Sequence, residues 1–393
     1  MHTDVLIAGG GIGGLAAGLA CSRAGCHVRL YERAEAFGEV GAGIQMGPNV
    51  MRVLQGWELG AAVRQVAAFP ERLQVRQALG GAELGVLPLG QAMVQRYGAP
   101  YATIHRADLQ QLLLKALQQR DAVWLHTGRT VNRYVETNGA VGLSLDDGLD
   151  VEGDALIAAD GLWSRMRQQL LGDGPPRVAG HLAYRALLPQ ASLPAPLRSQ
   201  QVTVWLGPRL HVVQYPVRGG EWLNVVAIVH GHVHGGLEDW DHDANAGELQ
   251  AALAHTCSAL RDLIAAVPAW RLWVLCDRPP VGAADQMARG HVALLGDAAH
   301  PMRPYLAQGA GMAIEDAAEL GRQVALVDGV LDVPTLLQRY ALNRWQRNAQ
   351  VQARSQRNGG IFHLDGPLAR ARDAALRLLG QRLLDQPWLY RGG

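Results

Sequence analysis

Apolar residues gather along this chain in short runs, and the most informative runs end in a glycine or a carboxylate. Residues 4–8 are Asp4 followed by four apolar positions, a run short enough for a strand buried on both faces of a parallel sheet. GGGIGG follows at 9–14, then an Ala- and Leu-rich helical stretch that stops at Gly25. A second run, 26–32, ends in Glu32. Two later runs repeat the theme: 154–159 ends in Asp160-Gly161, and 291–295 ends in Gly296-Asp297. After the last of these comes a loop with two prolines, Pro301 and Pro304, and then a strongly helical segment opened by Gly309, Ala310, Gly311 and Met312.

Between 201 and 229 the period changes. Residues 201–206, 210–217 and 221–229 are β-rich, and Arg218-Gly219-Gly220 sits where a hairpin turn joins the last two. This predicts an antiparallel layer distinct from the first half. Alternation along 210–217 puts His211, Val213 and Tyr215 on one face, two polar tips among apolar neighbours. One reading is a wall for a phenol, because an imidazole with an ordinary pKa of ~6.5 is a base near neutrality. The other is a solvent-facing histidine and an ordinary strand tyrosine. Further on, 335–357 reads as a long surface helix with Arg339, Arg344 and Arg347 solvated.

The chain has 393 residues, more than one ordinary core accommodates. Residues 1–175 with 276–330 are predicted as one discontinuous domain, 176–275 as a β-sheet domain and 331–393 as a helical end. Residues about 70–100 are candidates to join the sheet domain. With 49% hydrophobic and 18% charged residues a sizeable core can be buried, and a net charge of +1 argues against nucleic acid or an anionic membrane as partner. Cys21, Cys26, Cys257 and Cys276 have neither zinc nor redox-pair spacing, which suits a reducing cytosol. Residues 5–20 lack a basic leader and a cleavage site, and no run is long enough to span a membrane. The expectation is a cytoplasmic monomer or homodimer with a small-molecule partner, no nucleic acid and no membrane.

Gly9 permits a tight turn, Gly11 lets backbone approach a pyrophosphate, and Gly14 lets helix and strand pack closely. The helix start offers N–H groups and positive dipole to phosphates. Glu32 stands 18 residues after Gly14, where an acid takes the ribose hydroxyls of an adenosine. The fingerprint alone does not separate NAD from FAD; the further strand ends at Asp160 and Asp297 do. Three strand ends suit a longer ligand whose ribityl hydroxyls need their own carboxylate, for which Asp297 is the candidate. The 309–312 helix start then points N–H groups at the flavin pyrimidine edge. No second GxGxxG marks a nicotinamide domain, so NADH or NADPH would bind transiently.

GGGIGG with Glu32 and Arg33, DGLWSR at 160–165 and GDAAHP at 296–301 resemble the three signatures of the single-component (class A) flavoprotein aromatic hydroxylases. Segments 38–49, 105–109, 172–189 and 272–281 fall in the family's order, nearest the branch of 3-hydroxybenzoate 6-hydroxylase, 6-hydroxynicotinate 3-monooxygenase and salicylate hydroxylase. The resemblance implies an α/β (α+β overall) fold: a Rossmann-type FAD-binding domain, an interleaved antiparallel β-sheet substrate domain and a helical carboxyl end. It implies non-covalent FAD touching Glu32, Arg33, Arg106 and Asp297, with a backbone adenine contact near Val131. It also implies NAD(P)H as reductant, and O2 converted to a flavin C4a-hydroperoxide that hydroxylates a phenolic aromatic acid. His211 would take the phenolic proton, Tyr215 would hydrogen-bond the substrate, and Val213, Pro304 and Tyr305 would line its pocket. Decarboxylating salicylate hydroxylation and 6-hydroxynicotinate hydroxylation are the alternatives, with a flavin-binding interaction protein as the rival of another class. The 3-hydroxybenzoate pattern has Gln at Pro304; the 6-hydroxynicotinate pattern has His at Tyr305 and Met46.

The remaining candidates have simpler readings. His230, His232 and His234 alternate like metal ligands, but a Gly-rich solvated turn is preferred and no metal is expected. His300 shapes its loop, and Arg303 is taken as a surface arginine.

Overall fold

Asp4–Ala8 is flanked by Ala155–Ala158 on one side and His27–Tyr31 on the other, all parallel. Its side chains from Val5 to Ala8 are fully buried, as a strand covered on both faces requires. In this computed structural model, residues 3–38, 42–137, 139–232, 242–243, 245–326 and 332–392 are described. The six-stranded sheet runs Ala288–Arg289, Val292–Leu294, Ala155–Ala158, Asp4–Ala8, His27–Tyr31, Val123–His126. The strand ends predicted at 8, 159 and 295 are found at Ala8, Ala158 and Leu294 and lie side by side, at the carboxyl edge where open α/β sheets bind ligands. Helix Ile12–Arg23 packs between this sheet and helix Gly309–Val324, close enough that a Cβ on Gly321 would lie 2.9 Å from Ala20 Cβ.

Among the described residues the second sheet has eight strands: His242–Asp243, Arg271–Asp277, Arg177–Pro189, Trp222–His230, Leu210–Val217, Val202–Gly207, Arg72–Gln77, Glu83–Pro88. It is antiparallel except for the Val202–Gly207 and Arg72–Gln77 pair. One face carries Leu210, Val212, Leu223, Val225, Ala227 and Val229, buried with Leu249, Leu260 and Leu263 of helices Ala246–Ala252 and Ser258–Ala265. The other face turns toward the first sheet. A two-stranded ribbon, Gly43–Met46 with Ala102–His105, joins the layers: Gly43 N–H donates to Asn224 Oδ1 at 2.7 Å and Thr103 Oγ1 to the Pro216 carbonyl at 2.5 Å.

The surface helix expected near the carboxyl end is a correction. Val333–Phe362 is a single helix that buries Leu336, Leu337, Tyr340 and Val351. Arg339 is exposed, but Arg344 is 3% exposed and pairs with Asp316 at 2.7 Å and Glu315 at 3.0 Å. Arg347 pairs with the same Glu315 at 2.6 Å. A polar, Arg-rich pattern looks solvated until a partner helix supplies carboxylates, here Glu315 and Asp316 of Gly309–Val324. Among the described residues no helix is long and apolar enough to cross a membrane.

Candidate active site

The amino-terminal turn is built too tightly for side chains. Gly9 has φ +102°, and a Cβ there would meet the Ala159 carbonyl at 2.4 Å; on Gly14 it would meet the Gly9 carbonyl at 1.8 Å. Gly11 caps helix Ile12–Arg23 and lines a cavity. Glu32 closes the turn from the next strand, accepting from Gly10 N–H at 2.6 Å and Ala34 N–H at 2.8 Å. Arg33 beside it is exposed. The Arg129 N–H donates to the Glu32 carbonyl, so the segment leading into Val131 and its strand Val131–Thr137 lies against this same end. Asp160 lies outside the cavity lining, although its neighbours Ala159 and Gly161 are part of it. Its Oδ2 accepts from the N–H groups of Arg165 and Met166 at the start of helix Arg165–Leu171.

That helix in turn holds the third strand end. Arg167 donates to the carbonyls of Ala298 and Ala299, fixing the turn Gly296–Ala298. His300, fully buried, contacts the Asp316 carboxylate from the other side, and the Asp316 carboxyl stays well below its usual range because His300 and Arg344 outweigh its burial. So braced, Asp297 opens its carboxylate onto the cavity. Loss of solvation there raises its pKa, against the pull of Arg106 and His300. Gly309 and Ala310 line the cavity next to it. Within the predicted 309–312 helix start the amides divide. Met312 N–H is bonded to the Gln308 carbonyl at 2.7 Å and its side chain is fully buried, whereas Gly309, Ala310 and Gly311 lie in the first turn, whose amides precede intrahelical bonding.

The opposite wall is the second sheet. His211, Val213 and Tyr215 face the cavity, in register with Ile228, Val226 and Asn224 of the next strand. The alternation expected from the sequence is thus present, and the solvent-facing reading of His211 gives way: its exposure is 1%. Burial, then His181, lowers the His211 pKa to about 3, so the ring is neutral. Burial raises Tyr215 above the ordinary phenol range, so it keeps its proton. Pro304 lines the cavity with Met302 and Ala307. Tyr305 does not; its hydroxyl meets His181 Nδ1 at 2.5 Å and its ring packs at 5.1 Å from His211, behind the wall.

Three residues of this wall or just behind it escaped the sequence reading. Arg185, in register with Val226, lines the cavity with its guanidinium 4.8 Å over the Trp273 ring and its Nε without a hydrogen-bond partner among the described residues. Burial first, then Arg106, lowers its pKa to about 10, which leaves it cationic at neutral pH. Asn224, fully buried, spends its Oδ1 on Gly43. His363, from the far end of the chain, sits 2.7 Å from His211. Parity with Ala183 and His181 along Arg177–Pro189 is the sequence signal that marks Arg185; His363 has none. His230 ends a strand and groups with His181 and His363, their ligand atoms within 4.8 Å, while His232 is exposed and His234 lies outside the described residues. Arg303 is no free surface arginine: it pairs with Asp277 at 2.7 Å.

Side-chain-free backbone at two helix starts, with a carboxylate between them and a cavity passing both, fits a flavin dinucleotide. Comparison with known proteins agrees. The FAD binding domain family model matches residues 2–355. The chain is 39% identical to 3-hydroxybenzoate 6-hydroxylase of Polaromonas naphthalenivorans over 92% of its length and 88% of that protein's. It is 36% identical to 6-hydroxynicotinate 3-monooxygenase of Bordetella bronchiseptica, over 92% and 93%. The crystal structure of Klebsiella pneumoniae HpxO complexed with FAD and uric acid superposes with a TM-score of 0.85 at 28% identity, covering 97% of this chain and 94% of that one. The chain belongs to the FAD-binding-domain family, among the flavin-dependent aromatic monooxygenases.

Proposed function

We propose that this protein hydroxylates a phenolic aromatic acid, consuming NAD(P)H and O2. The observation that carries this reading is the polar content of one cavity wall: a neutral imidazole, a protonated phenol and a partly buried guanidinium, spaced by Val213, Val226 and Ile228. Bound FAD, held by the Gly9–Gly14 turn (9–14), Glu32, Asp297 and the Gly309 helix start, would supply the redox chemistry by accepting hydride from NAD(P)H and activating O2.

The chain's own residues then have separate tasks. Arg185 holds the substrate carboxylate, since a partly buried cation gains from a charge-assisted hydrogen bond to an anionic partner. His211 accepts the hydrogen bond of the phenolic O–H, and moving that proton enriches the ring carbons ortho and para to oxygen. Tyr215 donates from the same strand and fixes the ring's orientation. The apolar residues between them, with Met302 and Leu295 opposite, keep water from the reacting ring.

3-Hydroxybenzoate and 6-hydroxynicotinate, named in the relatives, place an acidic O–H and a carboxylate on one ring, as this wall requires. The test is a panel of these two acids and salicylate, with NADH and NADPH each supplied, following nicotinamide oxidation, O2 uptake and product. One acid of the panel is expected to accelerate NAD(P)H oxidation at least tenfold and to appear as a hydroxylated product. If no phenolic acid accelerates flavin reduction, the reading fails.

A further inference from the structure

His211 is one end of a line of imidazoles. Its Nδ1 lies 2.7 Å from Nε2 of His363, and His363 Nδ1 lies 2.9 Å from Nε2 of His230. Exposure grows along the line, from 1% at His211 through 7% at His363 to a partly exposed His230 at the end of its strand. One end therefore faces the cavity and the other reaches the surface. A neutral imidazole carries one N–H and one bare nitrogen, so the three rings can be bonded head to tail in either direction without any charge. In one direction His211 turns a bare Nε2 toward the cavity; in the other it turns an N–H.

We infer that His211, His363 and His230 form a proton wire that carries the substrate's phenolic proton from the cavity to solvent. This deepens the proposed function and rests on it. The phenolic O–H breaks as its proton bonds to His211 Nε2. The proton on His211 Nδ1 passes to His363 Nε2, the one on His363 Nδ1 passes to His230 Nε2, and the one on His230 Nδ1 leaves to water. The phenol has become a phenolate, one proton has reached solvent, and all three rings end neutral in the opposite tautomer. A proton returning along the line restores the starting tautomers.

A wire explains what a lone base does not. Burial in the first place, then neighbouring rings, lowers the pKa of His363 to about 2, as burial and His181 lower that of His211 to about 3. Neither ring can hold an imidazolium near neutrality, yet each can hand a proton on while receiving another. The surroundings oppose storage too. His181 and Tyr305 pack on the line; Arg372, itself bonded to Asp373, lies beside His363, Arg209 beside His230, and Arg303, paired with Asp277, beside His181. His181, His230 and His363 are also close enough together to suit a metal ion. The experiment separates the two roles.

The oxidised holoenzyme with 3-hydroxybenzoate bound is jumped from pH 6 to pH 9 in a stopped flow, and phenolate absorbance is followed without NAD(P)H. His363→Leu is expected to slow phenolate formation at least tenfold while FAD content and 3-hydroxybenzoate Kd stay within twofold. Added imidazole should restore part of the rate, and dialysis of wild type against EDTA should change nothing. His230→Gln, at the partly exposed end, gives the second variant should His363→Leu fail to fold. Variants that keep FAD and ligand and form phenolate at the wild-type rate overturn the wire. So does a wild-type rate that falls on EDTA dialysis and returns with zinc. Wild-type holoenzyme that binds none of the phenolic acids of the panel overturns the proposed function, and the wire with it.

Discussion

On the proposed function, Arg185 is the residue on which substrate choice turns. Val226 stands beside it on one neighbouring strand and Arg271 on the other, its ring partner is Trp273, and its Nε has no hydrogen-bond partner among the described residues, so on the proposed function this cation receives the substrate's anion. Hydrogen bonds to charged groups contribute about 1.5–3 kcal/mol, or roughly ten- to a hundredfold in affinity. Arg185→Met is expected to raise KM for a carboxylated phenol by that factor and to change kcat less. A phenol lacking the carboxylate should bind both forms alike; equal KM values for the acid would remove Arg185 from recognition. Single residues were legible where a motif constrains them: Gly9 and Gly14 by backbone contact, Asp297 by its place at a strand's end, His211 and Tyr215 by alternation. Arg185 was legible only through its parity along Arg177–Pro189, and His363 was not, because the ring it meets lies across the fold. Tyr305 shows the converse. It sits in the right loop, but its side chain turns behind the wall to His181.

At the scale of elements, the histidine cluster ties two strands, Leu210–Val217 and Trp222–His230, and the long strand Arg177–Pro189 to the end of helix Val333–Phe362. His181, His211 and His363 all have pKa values lowered in the fold, to about 4, 3 and 2, from an unfolded value of ~6.5. Below pH ~6.5 the unfolded chain binds more protons than the native one, so their contribution is complete above that pH and is lost as pH falls toward the folded values. Each group contributes at most about 1.4 kcal/mol per pH unit in that window. Urea unfolding at pH 7 and pH 5.5 is expected to show a drop of about 3 kcal/mol or somewhat less, since the rings are coupled. Equal stabilities at the two pH values would contradict neutral burial of the cluster. Asp316 acts in a separate window: its depressed pKa adds stability that is present above ~3.9 and lost only in stronger acid. The sequence period revealed the strands near 4–8, 26–32, 154–159, 201–206, 210–217, 221–229 and 291–295 and the Gly309–Val324 helix, but not strands such as Arg177–Pro189 and Arg271–Asp277. It misjudged Val333–Phe362 because Arg344 and Arg347 look solvated until Glu315 is packed against them.

Across the whole molecule, two different periods, buried parallel runs in one part of the chain and alternating strands in another, marked two layers, and the family resemblance supplied the fold class. How the two sheets face each other did not follow, because it depends on a four-residue strand, Gly43–Met46, and on contacts such as Gly43 with Asn224. That junction is what brings Asp297 and the Gly309 helix start opposite His211, Tyr215 and Arg185. On the proposed function, this junction joins a dinucleotide site on one layer and a phenol site on the other into one cavity. Oxygen incorporation tests this union most directly. The purified holoenzyme is given NAD(P)H, the acid of the panel that most accelerates its oxidation, and 18O2, and the product is weighed by mass spectrometry. One labelled oxygen on the ring, at close to one product per NAD(P)H, is the expected result; NAD(P)H oxidation that yields only H2O2 and unchanged acid with every acid of the panel would contradict it.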